Sequence, residues 1–425
     1  MKNLIKKEKK KILVLGSNPE TYDLIKTINN EGYLSYVIGM EKVLKTKKIA
    51  HKSFIGDGSS YDYVKGLIHK YNIDAVMCGT VDVLLPNYEK LCAQFNFPRY
   101  TNSKSIKFLL SKLNFDILLK KYGFKTIPKY KLKKNIKVKL KKEFFPVLIK
   151  PDDSGGAVGL KICKNNNELI KNFKISIKHS KRKQVICQKF LKGDDVQAFY
   201  TIVNGKSYLS TLSDRTTYFN KNSKSIVCYG NNYKSKHVNL FVHKYNSLFQ
   251  KIFKFLKIKN GIFSVQGIVY KNYFYPYDPG FRLQGEGQHF ILYDIFKVNY
   301  LKMLINLSLG KKFFTKNLPL INDVNLKNYY VCSLWVLLKK GTISKIENFD
   351  IISKNKNIFK IVQRLYLNNT INNQMIGTEK QVFGRFYIKS KTKKDLIDTI
   401  NFIHKKLKIL DKNKKNLIIK YYKLN

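Results

Sequence analysis

Between residues 11 and 79 three short apolar runs alternate with two helical stretches, and this alternation constrains the fold more than any other feature of the chain. KILVL (11–15), YLSYVIG (33–39) and DAVMCG (74–79) read as buried strands. Pro19–Asn29 and Tyr61–Tyr71 read as helices. Strand, helix, strand, helix, strand predicts a parallel α/β sheet, because parallel strands need long crossovers. The first strand ends in Gly16-Ser17-Asn18, either a tight turn or an anion site at a helix N-terminus, and the turn is the simpler reading. No G-x-G-x-x-G occurs, so the dinucleotide fingerprint is absent.

Farther along, 104–122 has helical periodicity, with Gly123 at its end and Pro128 beyond. Lysine-rich Lys129–Lys142 reads as a strand and exposed loop. Asn166–Ile177 suits a helix, 185–191 a strand, and 196–205 a strand ending in a hairpin turn whose return strand begins at Gly205. Val238–Leu256 reads as one helix. Phe263–Tyr270 and Tyr273–Tyr277 form a hairpin across Lys271-Asn272, and 291–309 is helical. The last hundred residues change character. VCSLWVLLKKGTISKIEN reads as two strands joined at Lys339–Gly341, QVFGRFYIKS as another strand, and Lys391–Leu410 as a final helix. The 425 residues allow about three domains. The expected divisions are 1–105, 106–325 (small lobe 125–190, large lobe 191–325) and 326–425.

Lysine and arginine total 81 against 28 acidic residues, a formal charge of +53. Such a balance suggests nucleic acid or an anionic membrane surface. Only six of the basic residues are arginine, the usual carrier of bidentate phosphate and base contacts. The lysines run from end to end alongside an excess of Asn, Ile, Tyr and Phe, which points to a compositional bias and an anionic small substrate. Nucleic acid is therefore disfavoured as a partner. The six cysteines are dispersed with no C-x-x-C, so neither a zinc ribbon nor a redox motif is supported. Free buried thiols fit a cytoplasmic location. The apolar stretch Ile12–Leu15 is too short for a signal peptide, and Val331–Leu338 is too short to span a bilayer, so no membrane partner is expected.

The chemistry concentrates around VLIKPDDSGGAVGLKI (147–162). A glycine-rich turn between two antiparallel strands can act as a flap whose backbone N–H groups close over phosphate oxygens. Lys150 ends the incoming strand beside it. The segment is not a P-loop, since it matches no G-x-x-x-x-G-K-[ST] and leads into a strand. An ordinary hairpin with a solvated lysine would carry the same letters. Two further stretches favour the phosphate reading. QKFLKGDDVQAF (188–199) breaks a buried strand at Gly193 before two carboxylates. QGIVYKNYFYPYDPGFR (266–282) places Gln266 in one strand, Asp278 at the end of its partner, and Arg282 four residues on. Gln266 and Asp278 are oxygen donors suited to Mg²⁺.

In this order the stretches resemble the ATP-grasp superfamily of ligases, which includes biotin carboxylase, D-alanine–D-alanine ligase and the carbamoyl phosphate synthetase large subunit. The likeness covers about residues 10–310, and the branch it resembles is the synthetase-like or amino-acid-ligase-like one. It implies an ATP-grasp fold, α/β and α+β in class, with an N-terminal parallel α/β domain and a C-terminal α+β lid. It implies ATP and Mg²⁺ as cofactors. Lys112 and Lys150 match the two nucleotide lysines, and Ser154, Gly155 and Gly156 the phosphate flap, which runs to Gly159. Gln188, Lys189 and Leu191 match the adenine hinge, and Asp195 the ribose carboxylate. Gln266 and Asp278 match the metal positions. Arg282 matches the arginine of E-x-N-x-R, which with Lys150 would be catalytic. The sequence departs from the family at Gln188 (glutamate), Gly280 (asparagine) and Asp278 (a longer carboxylate). Gly280 removes one metal contact, for which Glu286 or His289 could compensate, although a packing role is the simpler reading of His289. The loose likeness of 326–425 to the lid of amino-acid ligases adds little.

Such enzymes activate a carboxylate with the γ-phosphate of ATP and pass the acyl phosphate to an amine, thiol or hydroxyl. Arg215, beside Asp214, is a candidate for holding a substrate carboxylate, as is Arg282. A surface ion pair is the alternative for Arg215. The expected partners are a small carboxylic or amino acid and an amine acceptor, and because family members often dimerise, a homodimer is the expected assembly. The rival readings are a carbamoyl-phosphate-synthetase-like or carboxylase activity, a degenerate ATP-binding module without catalysis, and a basic nucleic-acid-binding protein.

Overall fold

KILVL forms β1 (Lys11–Leu15), the inner strand of a parallel sheet, and every residue after Lys11 is buried. The computed structural model describes residues 8–42, 45–132, 140–220, 225–313 and 323–419. With β2 (Leu34–Gly39), β3 (Lys52–Ile55) and β4 (Ala75–Cys78), β1 makes a sheet in the order β3-β2-β1-β4, parallel throughout. Helices α1 (Tyr22–Asn30), α2 (Lys45–Ile49) and α3 (Tyr61–Tyr71) supply the crossovers, and α4 (Leu85–Gln94) follows β4. The expected α/β start is present.

The stretch 104–122 is two helices rather than one, α5 (Ser103–Leu109) and α6 (Lys112–Lys121). Leu110 ends the first and Ser111 caps the second, its Oγ accepting from the Asn114 N–H at 3.3 Å. Serine competes for backbone groups and so favours such a junction over a helix interior. Of Lys129–Lys142, residues 133–139 lie outside the described residues.

A small three-stranded antiparallel sheet follows, β6 (Lys161–Cys163), β5 (Val147–Pro151) and β7 (Val185–Lys189), with α7 (Asn166–Lys178) against it. The glycine-rich turn joins β5 to β6, antiparallel as expected. The largest sheet has eight strands: β8 (Asp194–Val203), β9 (Lys206–Asn220), β10 (Ser225–Tyr233), β11 (Gly261–Tyr270), β12 (Tyr273–Gly280), β13 (Tyr330–Leu337), β16 (Ile358–Gln363) and β18 (Val382–Ser390). Its order is β12-β11-β8-β9-β10-β13-β18-β16. Two two-stranded ribbons complete the strands: β14 (Gly341–Thr342) pairs with β17 (Thr370–Ile371), and β15 (Lys345–Glu347) with β19 (Lys408–Leu410).

Two more expected helices are pairs. Val238–Leu256 divides at Tyr245 into α8 (Val238–Lys244) and α9 (Asn246–Phe255), with the Tyr245 hydroxyl accepting from the Phe274 N–H at 2.9 Å. The stretch 291–309 lies in α10 (Gln288–Phe296) and α11 (Tyr300–Ser308). Lys297 at φ 59° ends the first, and Asn299 caps the second by accepting from Lys302 N–H at 3.0 Å. The strands expected on either side of Lys339–Gly341 are not partners: β13 pairs with β10 and β18 instead. A short α12 (Phe349–Ser353) precedes β16, and the last helix, α13 (Lys393–Lys406), stops short of β19.

One apolar core runs under the parallel sheet and much of the large sheet. Phe241, Phe249 and Phe253 pack on Tyr200 and Phe263 within it. A second core, including Leu334, Phe386 and Ile400, lies under the C-terminal strands and α13.

Candidate active site

The junction between α5 and α6 makes Lys112 the first residue of α6. Asp152, wholly buried, holds that junction. Its carboxylate accepts from the Leu113 N–H at 3.2 Å and the Ser111 hydroxyl at 3.2 Å. Lys112 Nζ then lies 3.0 Å from Asp278 Oδ1 and donates to the Ser154 carbonyl at 3.0 Å. Burial is the largest single influence and opposes its charge, but Asp278, joined by Asp152 and Asp82, overcomes it and the Lys112 pKa lies above its ordinary value.

Lys150 is buried near the end of β5, its Nζ 4.9 Å from the centre of the Tyr277 ring. Burial first, then repulsion from Lys112, lowers its pKa to about 7. Two lysine ammoniums on one cleft with a single carboxylate at contact distance form a site short of negative charge.

The flap stands over this pair. Ser154 Oγ donates to the Val158 carbonyl at 2.9 Å, closing the turn on itself. Gly156 has φ +61°, and Gly159 has φ +72° with Pro151 only 2.9 Å from where a Cβ would sit. Both positions need glycine, for conformation at the tip and for conformation and space at the root.

The floor comes from the large sheet. Gln266 on β11 pairs with Asp278 on β12, and Gly267 with Pro276, so Tyr277 is the extra residue of a bulge. A bulge re-aims side chains, and Gln266, Tyr277 and Asp278 all line one cavity. The Tyr277 hydroxyl donates to both oxygens of Asp195 at 3.1 Å. Arg215 donates to Asp195 Oδ2 at 3.0 Å and to Glu286 Oε1 at 3.2 Å. Glu286 Oε1 also accepts from Gln266 Nε2 at 3.0 Å, and its Oε2 from Asn231 Nδ2 at 3.1 Å. Burial raises the Asp195 pKa despite Arg215, while Asp195 and Glu286 hold that of Arg215 well above its ordinary value against burial.

The cavity has an empty volume of about 1010 Å³, open solvent at its mouth included. Its lining mixes the apolar side chains of Ile127, Leu148, Leu160, Ile226 and Ile268 with the two lysines and the carboxylates. Gln188, Lys189 and Leu191 also line it. The Lys189 N–H is already committed to the Pro128 carbonyl at 2.9 Å. Such a lining suits a molecule that carries both apolar and anionic parts.

The structure thus gathers Lys112, Lys150, Ser154, Gly155, Gly156, Gln188, Lys189, Leu191, Asp195, Arg215, Gln266 and Asp278 around one cavity. Arg282 is not among the lining residues. Its guanidinium binds Asp82, the Leu283 carbonyl at 2.9 Å and Gln284 Oε1 at 3.2 Å. Asp214 instead accepts from Lys236 N–H at 3.1 Å. His289 is buried, and burial followed by Lys360 lowers its pKa to about 3, which fits its reading as a packing residue. Gly280 leaves no gap: a Cβ there would lie 2.7 Å from Gln284 Nε2, so the Gln284 amide fills that space. The sequence reading missed Tyr277, Asn231 and Glu379. Tyr277 adjoins Asp278 in sequence, but only the bulge brings both to one cavity.

Among the described residues no group of three or more His, Cys, Asp or Glu could hold a metal by itself. Mg²⁺ usually takes one or two carboxylates and completes its shell with water and substrate phosphates. Asp278, about a third exposed, and Gln266 Oε1, whose Nε2 is committed to Glu286, meet that requirement.

Residues 112–253 match the family model described as the C-terminus of D-ala D-ala ligase. An 81-residue segment is 31% identical to D-alanine–D-alanine ligase A of Bacillus cereus, 19% of this chain and 26% of that protein. The match thus spans about a quarter of this curated relative's length. The L-amino acid ligase from Bacillus licheniformis superposes with a TM-score of 0.76 at 12% identity, covering 96% of this chain and 100% of that one. Phosphoribosylglycinamide synthetase from Anaerococcus prevotii gives 0.72 at 18% identity, covering 95% and 100%. The biotin carboxylase domain of 2-oxoglutarate carboxylase from Hydrogenobacter thermophilus, solved with MgADP, gives 0.71 at 16% identity, covering 94% and 90%.

Proposed function

We propose that this chain, which has the ATP-grasp fold, is an ATP-dependent, ADP-forming ligase joining a small carboxylic or amino acid to an amine through an acyl phosphate. The observation that carries this reading is the convergence of Lys112 and Lys150 on one cleft with Gln266 and Asp278, under a glycine flap. The kinship to ligases of this fold, including a D-alanine–D-alanine ligase segment and an L-amino acid ligase structure, supports it.

In this reading the base lies between the apolar side chains and Gln188–Leu191, the ribose meets Asp195, and Lys112, Lys150 and the flap amides take the phosphates. Bound Mg²⁺ would neutralise phosphate oxygens, held by Gln266 and Asp278. A substrate carboxylate oxygen attacks the γ-phosphorus and ADP leaves. The amine then attacks the acyl carbon, loses a proton and expels phosphate. Such transfer needs positioning and charge stabilisation more than covalent help. For Arg282 to hold the transferred group it would have to leave Asp82, which binds it outside the cavity lining. Arg215, already paired with two carboxylates, shapes the ribose end and has little capacity left for a substrate carboxylate. A homodimer in the cytoplasm, with the three-part division of the chain set out above, completes the proposal.

The test is release of ADP and phosphate with a panel of carboxylic acids and amines. The expected result is turnover with at least one pair, lost by 10²–10³-fold in a folded Lys150→Ala variant, as for a missing contact of about 3–4 kcal/mol in the transition state. Wild-type turnover in that variant contradicts the assignment. ATP binding without turnover for any pair would favour a non-catalytic module.

A further inference from the structure

Glu379 belongs to the C-terminal part of the chain, far beyond the strands of the nucleotide cleft, yet it lines the same cavity. Its peptide N–H donates to the Gly156 carbonyl at 3.3 Å. A Cβ placed on Gly156 would lie 3.8 Å from the Glu379 Cβ. The tip of the flap therefore rests on the turn that begins at Glu379.

That turn is held from three sides. Thr378 caps it, its hydroxyl accepting from the Lys380 N–H at 3.2 Å. Arg364 donates to the Glu379 carbonyl at 2.6 Å, and Arg385 Nη2 to its carboxylate at 3.0 Å. Arg385 is 1% exposed, with its guanidinium carbon 4.2 Å from the centre of the Trp335 ring. It also donates to Glu20 at 2.7 Å and to the Gly285 carbonyl. Glu20 follows β1 in the parallel sheet, and Gly285 adjoins Glu286, which binds Gln266 and Arg215. One buried guanidinium thus joins the flap's seat, the first sheet and the floor of the cleft. An unpaired carboxylate at this place would repel phosphates, and Arg385 offsets its charge, so Glu379 serves by orientation rather than by contact with the nucleotide.

We propose that Glu379 is a positioning residue for the ATP-dependent reaction: its main-chain N–H seats the flap over the phosphates, and its Arg385-bound carboxylate fixes that N–H in place. This rests on the nucleotide reading of the cleft given above.

Glu379 is the first residue of a 3-10 turn, where proline is tolerated, and Thr378 is extended at φ −127°, ψ 168°, as a residue before proline prefers. Glu379→Pro therefore removes the donor with little backbone strain, while Glu379→Ala keeps it. Hydrogen exchange of peptides spanning 153–160, with and without Mg-ADP, separates them. The wild-type flap gains protection with Mg-ADP, and Glu379→Ala keeps at least half of that gain. Glu379→Pro gains none, and its Kd for Mg-ADP rises at least tenfold. A second variant, Gly156→Cys with Glu379→Cys, uses the 3.8 Å Cβ separation, which is that of a disulfide, and its reduced form is the reference because it carries the same strain of a side chain at φ +61°. All six native cysteines are buried and in no disulfide, so the new pair oxidises selectively. Oxidised after loading with Mg-ADP, it releases nucleotide at least tenfold more slowly, and dithiothreitol restores the rate. Equal flap exchange in wild type and Glu379→Pro, or unchanged release from the oxidised pair, overturns the proposal. Failure of the wild-type protein to bind Mg-ADP overturns the nucleotide reading instead. Exchange in the unliganded proteins then decides the seat, by being faster in Glu379→Pro or not.

Discussion

At the scale of single residues the cleft is defined by a lysine that lacks a counter-charge. Lys150 has a folded pKa of about 7 against an ordinary 10.5. Between these values the unfolded chain holds the proton and the folded chain does not. Stability on this account rises with pH from about 7 to 10.5, and the cost of burial is carried in full below 7. Phosphates in the cleft favour the charged form, so binding Mg-ATP at pH 8 takes up a proton. Calorimetric titration at pH 8 in buffers of different ionisation enthalpy reads that uptake, and Lys150→Met abolishes it. Identical apparent enthalpies in every buffer with the wild-type protein would refute the protonation account. Arg385 shows the opposite economy. Replacing it with methionine leaves Glu20 with Arg364 alone and Glu379 without its partner, and a loss of about 3 kcal/mol in urea unfolding is expected. Lys150 was legible from its place before Pro151 and the glycines, whereas Lys112 was legible only through the resemblance, because Ser111 lay inside what read as one helix. Tyr277 and Asn231 were not, since a bulge and a long-range strand pairing have no local signature.

Elements place these residues, and the breaks between elements matter as much as the elements. Ser111 turns one expected helix into two and thereby aims Lys112 at Asp278. Ser111→Ala should cost about 1 kcal/mol in stability, the usual worth of a cap. It should also raise the KM for ATP beyond what Lys120→Ala, an exposed change on the same helix, produces. A KM equal to that control would mean that the cap does not position Lys112. Elsewhere, Phe249→Ala opens the aromatic cluster between α9 and the large sheet, where Phe249 is fully buried, and should cost about 3–5 kcal/mol by denaturant unfolding. Helical periodicity carried across all three breaks because apolar spacing continues through a capped junction, so the caps Ser111 and Asn299 went unread. β10 escaped the sequence reading: its Gly230-Asn231-Asn232 looks like a turn, yet Asn231 is wholly buried and binds Glu286.

For the whole molecule, the α/β beginning and the antiparallel middle followed from strand and helix order, and the resemblance supplied the fold. What order alone could not supply is how the C-terminal strands join the rest. β13, β18 and β16 extend the sheet that carries the cleft, and the Glu379 turn brings that region back to the flap. Contacts of such long sequence separation depend on register and burial rather than on local letters. A formal charge of +53 also means that ATP will associate weakly with many surface lysines. The account must therefore be tested on one lysine against another. Calorimetric titration of Mg-ATP into wild type, Lys150→Ala and Lys120→Ala at physiological salt does this. The expected result is affinity weakened by about 10²-fold or more in Lys150→Ala, with Lys120→Ala within twofold of wild type. Equal binding by all three proteins would contradict the claim that Lys112, Lys150 and the flap form a nucleotide site.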